Sequence, residues 1–96
     1  MKIKIKLENS YKKDYKNALK QGILGESELV EFDKIIKALT AGQALDKRYK
    51  DHALVGDYKE CRDCHIKPNL VFIYRISLET IHFIRIGIHQ DLFKNY

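Results

Sequence analysis

Ninety-six residues with 45% hydrophobic content and a formal charge of +5 suffice for one domain, residues 1–96, with a single modest core. No apolar run approaches the roughly 20 residues of a membrane span. The opening MKIKIKLENSYKK lacks the hydrophobic centre of a signal peptide, so a cytoplasmic protein with reduced thiols is expected. The positive charge is uneven: residues 1–20 carry seven lysines against Glu8 and Asp14, residues 21–46 are acidic, and residues 47–75 are basic again. Such a chain suits a polyanion or an acidic protein, although a solvated lysine-rich surface explains the charge as well.

Lys2 to Leu7 alternate charged and apolar side chains, which predicts a half-buried strand. Asn9 or Ser10 can cap the helix that follows, with Tyr11, Tyr15, Ala18, Leu19 and Gly22 on one face. Gly22 and Gly25 mark a turn. Ser27 then opens a second helix, whose stripe is Leu29, Phe32, Ile35, Ile36 and Leu39, and Gly42 stands just past its end. Residues 43–57 read as loop. Strands are expected near 58–65, 70–76 and 80–88, separated by Pro68-Asn69 and by Ser77-Leu78-Glu79. The order βααβββ predicts an α+β fold: a twisted, mostly antiparallel sheet with two helices packed on one face.

The stretch Cys61-Arg62-Asp63-Cys64-His65 fits the C-x-x-C-H pattern of covalent haem attachment and contains the C-x-x-C of redox and zinc sites. Haem attachment is a chemistry of exported proteins, and Met1 is the only methionine. A zinc site would need a second ligand pair, and His82 and His89 follow at a spacing outside the common finger patterns. In a strand, residues three apart point to opposite faces, so Cys61 and Cys64 diverge and can neither share a metal nor close a disulfide. They are most simply packing residues, and neither a metal nor a cofactor is expected.

The same parity puts Asp63 and His65 on one face. On the last strand it puts Ile84, Ile86 and Ile88 on one side and Ile81, Phe83, Arg85, Gly87 and His89 on the other. An arginine within an apolar strand requires a wet or paired environment. The expectation is therefore an apolar face under the helices and an open face carrying Asp63, His65, Arg85 and His89. Each of these residues alone is more simply a surface charge or a satisfied histidine, as His82 is read. Together they form a candidate site.

Three segments match a known pattern in order: Tyr49-Lys50-Asp51-His52, then Arg62-Asp63-Cys64-His65-Ile66-Lys67-Pro68-Asn69, then Arg85-Ile86-Gly87-Ile88-His89-Gln90-Asp91-Leu92-Phe93. With them the chain resembles the YafQ-like toxins of the RelE/ParE toxin–antitoxin superfamily, specifically over residues 49–93 and more loosely before. The resemblance implies a RelE-like fold and a metal-independent endoribonuclease that cleaves mRNA on the ribosome by attack of the 2′-OH. The matching catalytic positions are His52, Asp63, His65, Arg85 and His89, and Lys50, Arg62, Asn69 and Phe93 would bind substrate. The residue types suit the chemistry. Histidine, with an ordinary pKa of about 6.5, can give or take a proton near neutrality. Arginine can hold the phosphorane oxygens, and an aromatic ring can stack on a base. His89 would be the general acid. His65 or His52 would assist the base, and Asp63 would act as base or orient a histidine.

The resemblance also implies an acidic antitoxin partner, through which alone the toxin would meet operator DNA, and no membrane. One position departs from the pattern. Asn69 stands where many relatives carry an acid, and an amide cannot act as a base near neutrality. A ParE-like gyrase poison and a catalytically impaired relative that only binds RNA or antitoxin are the alternatives.

Overall fold

A computed structural model of the chain describes residues 3–93; Lys2, at the start of the expected first strand, lies outside them. The strands are β1 (Lys4–Leu7), β2 (His52–Ala53), β3 (Arg62–Lys67), β4 (Leu70–Ser77) and β5 (Thr80–Ile88). The helices are α1 (Asn9–Lys20), α2 (Glu26–Thr40) and the short α3 (His89–Leu92), with single 3-10 turns at Lys47–Tyr49 and Gly56–Tyr58. Among the described residues the strands form one sheet in the order β1-β5-β4-β3-β2. β1 runs parallel to β5, and every other pairing is antiparallel.

The stripes expected for the two helices meet one face of this sheet. Phe32 of α2 and Tyr11 of α1 pack with Phe72 and Phe83, and the Phe72 and Phe83 rings lie edge to face at 4.9 Å, a geometry aromatic quadrupoles favour. Ile35, Leu39, Cys64, Tyr74, Ile81 and Ile86 belong to the same core. A smaller apolar cluster of Cys61, Val71, Ile73 and Leu92 lies apart from it. The two cysteines thus belong to different clusters, the separation expected, although Cys61 lies just before β3 rather than within it.

The structure corrects several local expectations. β3 begins at Arg62 rather than near 58, because Tyr58 closes a 3-10 turn and Glu60 takes a positive φ of 72°. The expected loop 43–57 contains the two-residue strand β2. Ser10 does not cap α1. Its hydroxyl donates instead to the Ile84 carbonyl at 2.6 Å, and α2 starts at Glu26 with the Glu28 carboxylate accepting the Gly25 N–H at 3.0 Å. β1 is an exposed edge strand rather than a half-buried one, with Ile5 and Leu7 both largely accessible, and Leu19 is likewise exposed.

The register between β4 and β5 shifts after Ile73, which faces Arg85 while Tyr74 faces Phe83. This bulge inserts one residue into β5 and reverses the alternation. Ile81, Phe83 and Ile86 therefore share the helix-covered core, whereas Ile84 packs with the smaller cluster. A strict two-residue period had separated Phe83 from Ile86. β5 also outruns β1, whose pairing stops at Phe83. α1 covers the remaining edge: Ser10 takes the Ile84 carbonyl, and the Asp14 carboxylate accepts the Ile86 N–H at 3.2 Å. Unpaired edge groups are thereby satisfied without another strand.

Candidate active site

His52, His65 and His89 come from β2, β3 and the first turn of α3, and they stand in a row. The imidazole centroids of His52 and His65 are 6.5 Å apart, and those of His65 and His89 are 6.1 Å apart. The row continues through Phe93, 4.7 Å from the His89 ring, to Tyr58, 5.9 Å from Phe93. Register explains the placement. His52 faces Asp63 across β2 and β3, and His65 faces Val71, which in turn faces Gly87 on β5. The missing Cβ of Gly87 matters here: a side chain there would meet Leu92 at 3.4 Å and press on α3, which carries His89. The His89 N–H is held by the Asn69 carbonyl at 3.0 Å, so the β3–β4 turn anchors the start of α3.

Backbone carbonyls fix two tautomers. His52 Nδ1 lies 2.8 Å from the Lys50 carbonyl oxygen, and His65 Nδ1 lies 3.1 Å from that of Pro68. A carbonyl only accepts, so each Nδ1 carries a proton, and whenever the ring is in its neutral form the Nε2 holds the free lone pair. Lys50 adopts a left-handed conformation (φ 49°, ψ 42°) to bring its carbonyl to His52. That turn is secured from below. Asp51 accepts from the Tyr74 hydroxyl at 2.5 Å and from Arg62 Nη2 at 2.9 Å. Burial, reinforced by Asp51, pushes the Tyr74 hydroxyl far above its ordinary range, while the Asp51 carboxylate raises the Arg62 pKa.

Asp63 was expected on an open face, and the structure buries it, with 1% of its surface accessible. It sits in register between His52 and Ile73. Its Oδ1 is 2.9 Å from His52 Nδ1 yet accepts no hydrogen bond among the described residues, because the ring N–H is directed at the Lys50 carbonyl. Burial pushes the carboxyl above the ordinary range, and the positive fields of His52, His65 and His89 pull the other way.

The arginines are less free than their sequence positions suggested. Arg85 Nε and Nη2 bind the two oxygens of Asp14 at 2.5 and 3.1 Å, and Nη1 donates to the Tyr58 hydroxyl at 3.3 Å. The Asp14 pairing raises the pKa of Arg85. Arg62 is similarly committed to Asp51. Both retain part of a guanidinium for a ligand, with 29% and 43% of their side chains accessible. Lys50 and Asn69 are exposed at the rim, and Phe93 is partly buried. Sequence reasoning missed Asp14, Asp51 as a clamp, Tyr58 and Tyr74. Of these only Asp14 lies outside residues 49–93, over which the resemblance is specific.

A family model for the bacterial toxin of type II toxin–antitoxin systems, YafQ, matches residues 3–94. The chain belongs to the YafQ toxin family. Over 45 residues it is 42% identical to the mRNA interferase toxin YafQ of Escherichia coli K12, 47% of this chain and 49% of that protein. The chain thus spans about half the length of the curated relatives it matches. The solved structures align over nearly everything. The toxin in the E. coli DinJ–YafQ toxin–antitoxin complex superposes with a TM-score of 0.82 at 30% identity, covering 97% of this chain and 99% of that one. A metal-bound toxin from Helicobacter pylori gives 0.81 at 34% identity, with 94% and 98% covered. In this chain the imidazoles stand side by side rather than around a point, and among the described residues no group of three or more His, Cys, Asp or Glu side chains is arranged to hold a metal ion.

Proposed function

We propose that this toxin is an endoribonuclease that cleaves mRNA on the ribosome by attack of the ribose 2′-OH on the adjacent phosphate, without a metal. The observation that carries the reading is the row His52–His65–His89 ending on Phe93. Transesterification needs one group to take the 2′-OH proton and another to protonate the departing 5′-oxygen. His52 and His65, whose Nδ1 atoms are engaged by backbone carbonyls so that Nε2 is the basic atom of the neutral ring, suit the first role. His89, at the far end of the row beside Phe93, suits the second in its protonated form. Phe93 would stack on a base and hold the chain in line.

Asp63 acts in this scheme as a buried negative charge that favours imidazolium rather than as the base, since it reaches no solvent. Arg85 would meet the phosphorane with the part of its guanidinium that Asp14 leaves uncovered. The bond formed is 2′-O to phosphorus and the bond broken is phosphorus to 5′-O. The products are a 2′,3′-cyclic phosphate and a free 5′-hydroxyl.

The proposed partner is an acidic antitoxin, which the +5 charge favours electrostatically and through which the toxin would reach operator DNA. The toxin is expected to work in the cytoplasm. Induction without a partner should arrest growth and leave transcripts with 5′-hydroxyl cuts in frame. Arrest with intact transcripts and DNA damage would assign the chain to gyrase poisoning instead.

A further inference from the structure

We propose that the cleft beside His65, between β3, α2 and the turn Lys47–Tyr49, is a nucleotide subsite that selects the base next to the scissile phosphate; this rests on the RNA-cleaving reading above. The cleft exists because β2 is only two residues long and pairs only with Arg62 and Asp63, so the outer edge of β3 from Cys64 to Lys67 has no strand beside it. The gap between that edge, α2 and the turn Lys47–Tyr49 encloses about 410 Å³, lined among others by Glu31, Arg48, Tyr49, Lys50, His65 and Lys67. That volume lies within the roughly 300–1,000 Å³ of small-ligand sites. His65 belongs to both the imidazole row and the cleft wall, so an occupant of the cleft is continuous with a phosphate at the row.

The lining specifies the chemistry. Arg48, Lys50 and Lys67 face a single carboxylate, Glu31, so the occupant carries negative charge. Glu31 is also fixed in place. The Tyr49 hydroxyl donates to its Oε1 at 2.9 Å, Arg48 Nη2 lies 3.2 Å from the same oxygen and Lys34 Nζ lies 3.3 Å from Oε2. The Tyr49 hydrogen bond, with Lys34 and Arg48 nearby, holds the Glu31 carboxyl below the ordinary range, so it is ionised and only accepts. Beside it stands a guanidinium that only donates. An immobile acceptor next to a donor, at the back of a cationic cleft, matches the mixed donor and acceptor edge of a nucleobase whose phosphate lies between Lys50 and Lys67. An acidic peptide would satisfy the lysines but leave Glu31 facing like charge.

The test uses isotope-labelled protein and uncleavable 2′-O-methyl trinucleotides that differ in one base, followed by backbone amide resonances and binding titration. The expected result is that signals of residues 48–50 and 65–67 shift with one base preferred over the others, while inorganic phosphate at equal concentration does not reproduce the pattern. Glu31→Gln should alter that preference by at least about fivefold, the discrimination a good polar base contact provides. Lys67→Glu, at a partly exposed position, should weaken all trinucleotides together. Trinucleotides that bind without moving these signals, an unchanged base preference in Glu31→Gln, or an acidic peptide that alone shifts them would each overturn the subsite. Wild-type protein that cuts no RNA but shows the base-selective shifts would sink the nuclease reading and leave the subsite standing; efficient cleavage without the shifts would do the reverse.

Discussion

The two faces of the sheet use the same strands for opposite ends. Under α1 and α2, Phe72, Tyr74 and Ile86 are each at most 1% exposed, and Phe72 meets a ring from each helix and stacks on Tyr74. On the other side Val71 and Ile73 are equally buried, but their cover is thin: Leu92, the loop residues Leu54 and Tyr58, and Phe93. The row of imidazoles borders that small cluster. The covered face holds its shape through packing, whereas the open face holds its shape through polar clamps that fix individual side chains. The Lys50 carbonyl fixes His52, the Pro68 carbonyl fixes His65, and the Asn69 carbonyl fixes the start of α3.

Substitutions on the two faces should therefore separate activity from stability. His89 is exposed, so His89→Ala should slow cleavage by roughly 10²–10⁴-fold, the usual contribution of a proton donor, with the thermal midpoint scarcely moved. Undiminished cleavage by the purified variant would remove His89 from the chemistry. Phe72→Ala should do the opposite, costing about 3–5 kcal/mol in denaturant titrations while the fraction that stays folded cleaves normally. Tyr74→Phe tests where the two faces communicate. The ring belongs to the helix-covered core and its hydroxyl supports the Asp51 turn. A loss of about 1.5–3 kcal/mol, typical of a hydrogen bond to a charged group, should come with slower cleavage as the His52 turn loosens. Stability loss with unchanged cleavage would detach the clamp from the site.

Asp63→Asn sharpens the contrast by its sign. Burial raises the carboxyl pKa in the folded protein, so its contribution to stability is fullest below the unfolded value and declines as pH rises through the folded value. The asparagine variant should thus melt higher than wild type near neutrality, with the gap closing as the solution is acidified. It should also cleave roughly tenfold slower or worse, having lost the charge that favours imidazolium. A variant less stable than wild type at neutral pH would contradict the burial argument. The smallest effect belongs to Asn69→Asp. If the imidazoles supply both proton transfers, an added carboxylate at this exposed turn should change the rate by no more than about threefold, within what a screened surface charge contributes. A gain of two orders of magnitude would favour the impaired, binding-only relative.

Much of this was legible in the sequence. The stripe through Phe32, Ile35 and Leu39 and the apolar run from Leu70 to Tyr74 sit where periodicity put them. The three histidines come together as the matched segments implied. What escaped has physical reasons. A two-residue strand such as β2 has no period to detect. The bulge at Ile84 and Arg85 leaves the composition of β5 unchanged while reversing its faces. The Arg85–Asp14 pair joins residues 71 positions apart, and a single aspartate on an amphipathic helix gives no sign of what it will meet. Asp63 was assigned its direction correctly by alternation, but depth depends on what neighbouring strands lay over it.

The parallel pairing of β1 with β5 has a consequence for how the molecule is made. Lys4 to Leu7 find their neighbours at Thr80 to Phe83, so during synthesis the leading segment waits, unmatched, while both helices and three further strands emerge. Long-range closure of this kind slows folding relative to local hairpins. It also means that the segment bearing His89 joins the molecule as the sheet is being closed. On the nuclease reading, a chain not yet translated to His89 has only two of the three imidazoles of the row.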